Sequence, residues 1–160
     1  MVSFKIEFCL KLIFIISLIS IISAYFIEYA LGYQPCNLCL IERIPYALSI
    51  ILIILNYFFK GNGKFIILLL ILIFIFSLMI SIYHLGIEQG FFEESSICNV
   101  KNVSEIISKE ELLEQLQEKT VSCKDVTFRI FGLSLTSFNI FISLIIIALL
   151  TKIFLSYEKN

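Results

Sequence analysis

Along the chain the apolar positions gather into four long runs, separated by polar breaks of very unequal length, instead of alternating with the period of strands. The first run extends from about Phe8 to Ile27 and is interrupted by Lys11, whose stem is long enough to carry its ammonium to a membrane surface. The second, Ile44 to Phe59, is short for a span. It reaches the roughly 20 residues needed to cross a hydrocarbon core of about 30 Å once its helix begins near Leu38, which places Glu42 and Arg43 at the interface. The third covers Phe65 to Tyr83 and the fourth about Ile130 to Thr151. The expected fold is all-α, a single domain over 1–160, with four antiparallel transmembrane helices at about 8–27, 40–59, 65–84 and 130–151.

Composition agrees with this reading: 59% of the 160 residues are hydrophobic and 16% charged, and the mean hydropathy is +0.99. A cleaved signal peptide is the competing account of the first run, but no A-x-A site follows it before Glu28. Ser17, Ser20 and Ser23 fall three apart, on a face where small residues let membrane helices approach closely. Lys5 and Lys11 precede the first run, Lys60 and Lys64 bracket the second turn, and Lys152 and Lys159 follow the fourth run. Positively charged ends prefer the cytoplasmic side, so both termini are expected there. The segments at about 28–39 and 85–129 then face outward. The longer carries nine acids against five bases, which offers no surface to nucleic acid.

This topology sorts the five cysteines. Cys36 and Cys39 fall in the first outer loop, Cys98 and Cys123 in the second, and Cys9 in the first span, where it reads as a small hydrophobe. Disulfides persist on the outer, oxidising side, and four cysteines there allow three connectivities. A Cys-x-x-Cys bridge closes so short a loop that it restrains little of the unfolded chain. It suits a redox role better. A thiolate at a helix start or beside a cation has a lowered pKa, and both conditions hold for a helix starting near Leu38 with Arg43 one turn beyond Cys39. A zinc site with four cysteine ligands would need two pairs about sixty residues apart in chain, unlike the usual compact ligand loops, so no metal is expected.

Two outer cysteine pairs imply a relay. Exchange among sulfurs creates no net disulfide, so the relay needs an acceptor outside the sulfur pool. At a bilayer rim the lipid-soluble two-electron acceptor is a quinone, and a cation beside Cys39 would stabilise negative charge developing on it.

The stretch "PCNLCLIERIPY" resembles the first-loop motif of the DsbB family, bacterial inner-membrane disulfide-forming oxidoreductases. "IYHLGIEQGFF" is similar to the family's histidine-containing entry to the second outer loop, and "CKDVTFRIFGLSLTSFNIF" to its return into the fourth span. The resemblance implies that Cys36 and Cys39 are the pair nearest the quinone, with Cys39 the thiolate that contacts it, Arg43 its electrostatic support and His84 close by. It also implies that Cys98 forms the mixed disulfide with a periplasmic DsbA-type thioredoxin-fold partner, and that Cys123 bridges to Cys36 in an inter-loop intermediate. The electrons would pass to ubiquinone or menaquinone in the membrane pool.

Position alone leaves His84 balanced between an interface residue and a proton donor near a quinone. Glu42 reads as a helix-terminal carboxylate and stays outside the expected catalytic set. Pro35 sets the approach to the Cys-x-x-Cys turn, and Pro45 either kinks the second helix or marks its true start. In the second outer loop, Ser108 and Glu111 have capping-box spacing ahead of Leu112, Leu113 and Leu116, which predicts a short amphipathic helix. Its few basic residues favour packing on protein over lying on the bilayer. Two rival functions are weighed. A reductase related to the vitamin K epoxide reductases carries its Cys-x-x-Cys after the loop pair, whereas here it comes first. A tetraspanin-like scaffold needs inert disulfides, which this spacing does not suggest.

Overall fold

The computed structural model describes residues 2–59, 63–94, 98, 121–124, 128–130 and 132–158. The helix predicted from Ser108 onward lies outside them. Long helices α1 (Val2–Tyr29), α4 (Gly63–Glu88) and α5 (Leu135–Glu158) run beside a second segment made of α2 (Asn37–Ile41) and α3 (Ile44–Phe59). All four segments are long and apolar enough to cross a membrane. The bundle is closed mainly by α4 against α5 and α1 against α3. Phe76 and Met79 of α4 and Phe141 and Ile145 of α5 remain exposed. So large an apolar surface suits lipid and not water.

Ile13, Ile67, Leu70, Phe74, Ile146 and Leu150 fill the centre, with the Tyr46 ring edge-on to Phe74 at 5.6 Å between centroids. Cys9 is buried in this core, the hydrophobe's place expected of it. Small polar residues seal the helix contacts. Ser17 is fully buried and meets Ser49 at 2.8 Å, Ser77 meets Ser143 at 3.4 Å, and each hydroxyl has a partner where lipid would offer none. Ser20 and Ser23 lie on the wall of a cavity instead.

Three helix limits differ from the sequence reading, each for a local reason. Pro45 has no N–H for the carbonyl of Ile41, four residues earlier, so α2 ends there and α3 restarts with Pro45 in its first turn. The α4 helix runs one turn past Tyr83 to Glu88 and stops at Gly90, whose φ of 78° suits a left-handed cap, with the Phe91 amide donating to the Gly86 carbonyl. The fourth span starts at Leu135, because Arg129–Ile130 (β1) pairs antiparallel with Leu133–Ser134 (β2) across Gly132, at φ 83°. Ser134 then caps α5 by accepting from the Ser137 amide at 3.4 Å.

Candidate functional site

The Cys-x-x-Cys pair sits where the first outer loop turns into α2. Cys36 is the N-cap, extended at φ −73° and ψ 167°, and its sulfur accepts from the Cys39 amide at 3.2 Å. The same sulfur lies 3.5 Å from His84 Nε2, although the two residues are 48 apart in chain. His84 is 1% exposed and so is no interface residue. Its Nδ1 lies 3.0 Å from Glu42 Oε1 and 3.2 Å from Thr136 Oγ1. Asn139 donates to Glu42 Oε2 at 3.1 Å and to Ser81 at 2.7 Å, and accepts from the Tyr46 hydroxyl. Three segments distant in sequence, around Cys36–Tyr46, Ser81–His84 and Thr136–Asn139, thus converge on one buried polar cluster.

On its outer side Cys36 belongs to a second apolar cluster with Leu38, Ile87, Cys98 and Cys123. Cys98 and Cys123 form a disulfide with Cα atoms 5.4 Å apart, while Cys36 and Cys39 are free. Glu94 accepts from the Lys124 amide at 3.1 Å and from the Ser122 hydroxyl, tying together the two ends of the long loop beside that bridge.

On its inner side Cys39 opens on a cavity of about 310 Å³ between α1, α5 and the first loop. Ile19, Ile27, Phe138 and Ile142 give it apolar walls, and Glu42, Arg43, Thr136 and Asn139 gather polar groups among them. The Tyr33 and Phe128 rings, 5.0 Å apart, join the two outer loops at its edge. Arg43 also lines it. Its guanidinium donates to Glu28 at 2.6 Å and lies 5.0 Å from the Tyr25 ring centroid.

These positions change three expectations. Arg43 does not stand over Cys39 on a continuous helix, because α2 ends at Ile41; it reaches the cavity from beyond the break, held by Glu28. His84 is absent from the cavity wall and stands behind it, between Cys36 and Glu42. Of the two sulfurs, it is Cys36 whose neighbours favour the thiolate. The hydrogen bond from the Cys39 side chain, reinforced by His84, outweighs burial and lowers its pKa from 9.0 to about 5. The sign follows directly. Above about pH 5 the folded chain holds a thiolate where the unfolded chain binds a proton up to about pH 9. The pair's contribution to stability is therefore full at alkaline pH and is lost as pH falls through about 5. Ultraviolet thiolate absorbance of the reduced protein is expected to persist from neutral pH down to about 5; absorbance that vanishes below pH 8 would contradict the assignment.

Glu42, Thr136, Asn139 and Glu88 were not expected in the site. Polar side chains in apolar spans face the bundle interior, and that was the available signal. Cys36, Cys39 and His84 place their Sγ, Sγ and ring nitrogen atoms within 4.8 Å of one another.

Comparisons with known proteins bear on the chain as a whole. An uncharacterised protein of Rickettsia prowazekii (strain Madrid E) is 29% identical over 147 residues, covering 91% of this chain and 85% of that protein. No solved structure matches. The family described as disulfide bond formation protein DsbB matches residues 7–153, which include both cysteine pairs, His84, the second and third spans and nearly all of the first and fourth. The chain belongs to the DsbB family, membrane oxidoreductases of disulfide bond formation.

Proposed function

We propose that this protein reoxidises a periplasmic DsbA-type dithiol and passes the electrons to a membrane quinone, from the bacterial inner membrane with both termini in the cytoplasm. One observation carries the reading: the Cys-x-x-Cys pair has two faces. Cys36 packs with the Cys98–Cys123 disulfide, and Cys39 lines an apolar cavity within the span region. A pair so placed can, as a disulfide, take electrons from the outer cysteines once a partner has reduced them and, as a dithiol, release them inward.

The cavity fits a quinone in volume and lining, being mostly apolar with few polar groups. When bound there, ubiquinone or menaquinone supplies a two-electron acceptor soluble in the bilayer. Cys39 presents its sulfur to it, and Arg43 keeps a permanent positive charge on the same wall, fixed by Glu28 and Tyr25. The Tyr33 and Phe128 rings help keep water from the site. In the form in which Cys36 and Cys39 are themselves bridged, a partner thiolate attacks Cys98 and releases Cys123, whose thiolate attacks Cys36 and releases Cys39; the partner's second thiolate then frees Cys98, which attacks Cys123 to restore the loop bridge and free Cys36. Each exchange breaks one S–S bond and forms another, so two electrons move inward.

Detergent-purified protein supplied with reduced DsbA-type partner and a ubiquinone analogue is expected to turn over, followed by quinone absorbance. Cys36→Ser and Cys98→Ser should each stop it. Undiminished turnover in either variant would contradict the relay, and none in the parent with ubiquinone or menaquinone analogues would contradict the quinone reading.

A further inference from the structure

Cys39 lines the cavity but Cys36 does not, so the two thiols differ in where their protons can go. With the loop disulfide closed and the inner pair reduced, forming the Cys36–Cys39 bond releases two electrons and two protons, and converting a quinone to a quinol takes up two of each. A proton from Cys39 enters the cavity directly. One from Cys36 needs a route.

The hydrogen bonds around His84 define one. Thr136 donates its hydroxyl hydrogen to Glu88 Oε1 at 2.7 Å, so its oxygen is left to accept from His84 Nδ1 at 3.2 Å. Nδ1 therefore carries a hydrogen, shared with Glu42 Oε1 at 3.0 Å, and in the neutral ring Nε2 is a lone pair facing Cys36. Glu88 Oε1 lies 3.8 Å from Nε2. Its other oxygen is buried without a hydrogen-bond partner among the described residues. Glu42 is fixed between His84 on one oxygen and Asn139 on the other, and it lines the cavity.

We infer that Cys36, His84 and Glu42 form a proton path from the outer thiol to the cavity wall, with Glu42 the last protein group on it. This rests on the quinone reading. The S–H bond of Cys36 breaks and its proton goes to Nε2, leaving a Cys36 thiolate beside a His84 imidazolium; as the Cys36–Cys39 bond forms, the Nδ1 hydrogen passes to Glu42 Oε1, which holds it at the cavity. Once that proton is released, Glu42 is again a carboxylate and His84 is neutral, and the ring returns to its first tautomer with no net proton change. Thr136 and Glu88 are positioning residues: they select the tautomer.

The test uses the full chain with Cys98→Ala and Cys123→Ala, so that only the inner pair is redox-active. Without quinone, ultraviolet absorbance reports the Cys36 thiolate. Its sulfur faces the Cys39 thiol and amide on α2 and His84 on α4, and His84 in turn faces Glu42, Thr136 and Glu88. Glu42→Gln and His84→Gln should each move the titration upward by about one pH unit or more, since each removes charge that supports the thiolate–imidazolium pair. With a short-chain ubiquinone analogue, the reduced protein should form quinol about a hundredfold more slowly in Glu42→Gln. The double variant should be no slower than His84→Gln alone, because both lie on one path. Glu42→Asp, which keeps the carboxyl, should fall between Glu42→Gln and the parent and carries the test if the Gln variant does not fold. A parent that forms no quinol removes the quinone reading and this path with it. A parent that does, beside Gln and Asp variants with its rate and its thiolate titration, or effects that multiply in the double variant, removes the path alone.

Discussion

Cys39→Ser should lower quinone reduction by about 10⁴-fold or more, the scale seen when a nucleophile is removed from a site that otherwise stays intact. The effect is expected to be this large because Cys39 is the cysteine on the cavity wall: Cys36, Cys98 and Cys123 all lie in the outer cluster. Serine has nearly the same shape and keeps the α2 amide available to Cys36, so the bundle should persist. The variant separates the two halves of the reaction. Cys36 can still exchange with the outer disulfide: its thiolate attacks Cys123 and releases Cys98, so a Cys36–Cys123 bridge should form before any reduced partner is added. Non-reducing mass spectrometry after proteolysis would detect it. Quinone reduction at the parental rate would mean that electrons leave through another sulfur.

His84→Gln should slow turnover by about a thousandfold, within the range of lost general acid–base catalysis. Glutamine can keep a hydrogen bond to Glu42 or Thr136, but it cannot accept the Cys36 proton. The thiolate at Cys36 would lose a support, and the pH optimum of the exchange step should move up as its titration does. Because the ring is 1% exposed and bonded on both nitrogens, stability must be measured beside activity. Thermal midpoints in detergent within a few degrees of the parent would assign the loss to chemistry. Unchanged kinetics with a folded protein would remove His84 from the site.

Much of the fold could be read from the chain because lipid imposes a strict rule: each crossing needs an uninterrupted apolar helix. The four runs meet it. The pairing of redox spacing with a helix start was legible too, since Cys36 is the cap of α2. Helix ends were less so. Gly132 and Ser134 mark a turn and a cap, yet they sit in a run whose hydropathy alone resembles a span. The break after Ile41 follows from Pro45, but choosing between a kink and a restart depends on how α2 packs.

The polar cluster was hidden for a different reason. Glu42, His84, Thr136 and Asn139 are brought together by contacts between α2, α4 and α5 that no local pattern specifies. Glu42 at a helix end is ordinary in sequence and becomes unusual only when its carboxylate is found bonded to a buried histidine. Arg43 shows the converse. Its place near the site was visible, while its partner Glu28, at the end of α1, was not.

The most direct measurement of the central claim is the ratio of quinol formed to protein disulfide formed, without oxygen, with reduced partner in excess and a limiting ubiquinone analogue. Absorbance counts the quinol and thiol titration the disulfide. One quinol for each disulfide, with the reaction stopping when the quinone is spent, is the predicted result. Disulfides that continue to form after the quinone is spent, or quinol formed without loss of partner thiols, would contradict it.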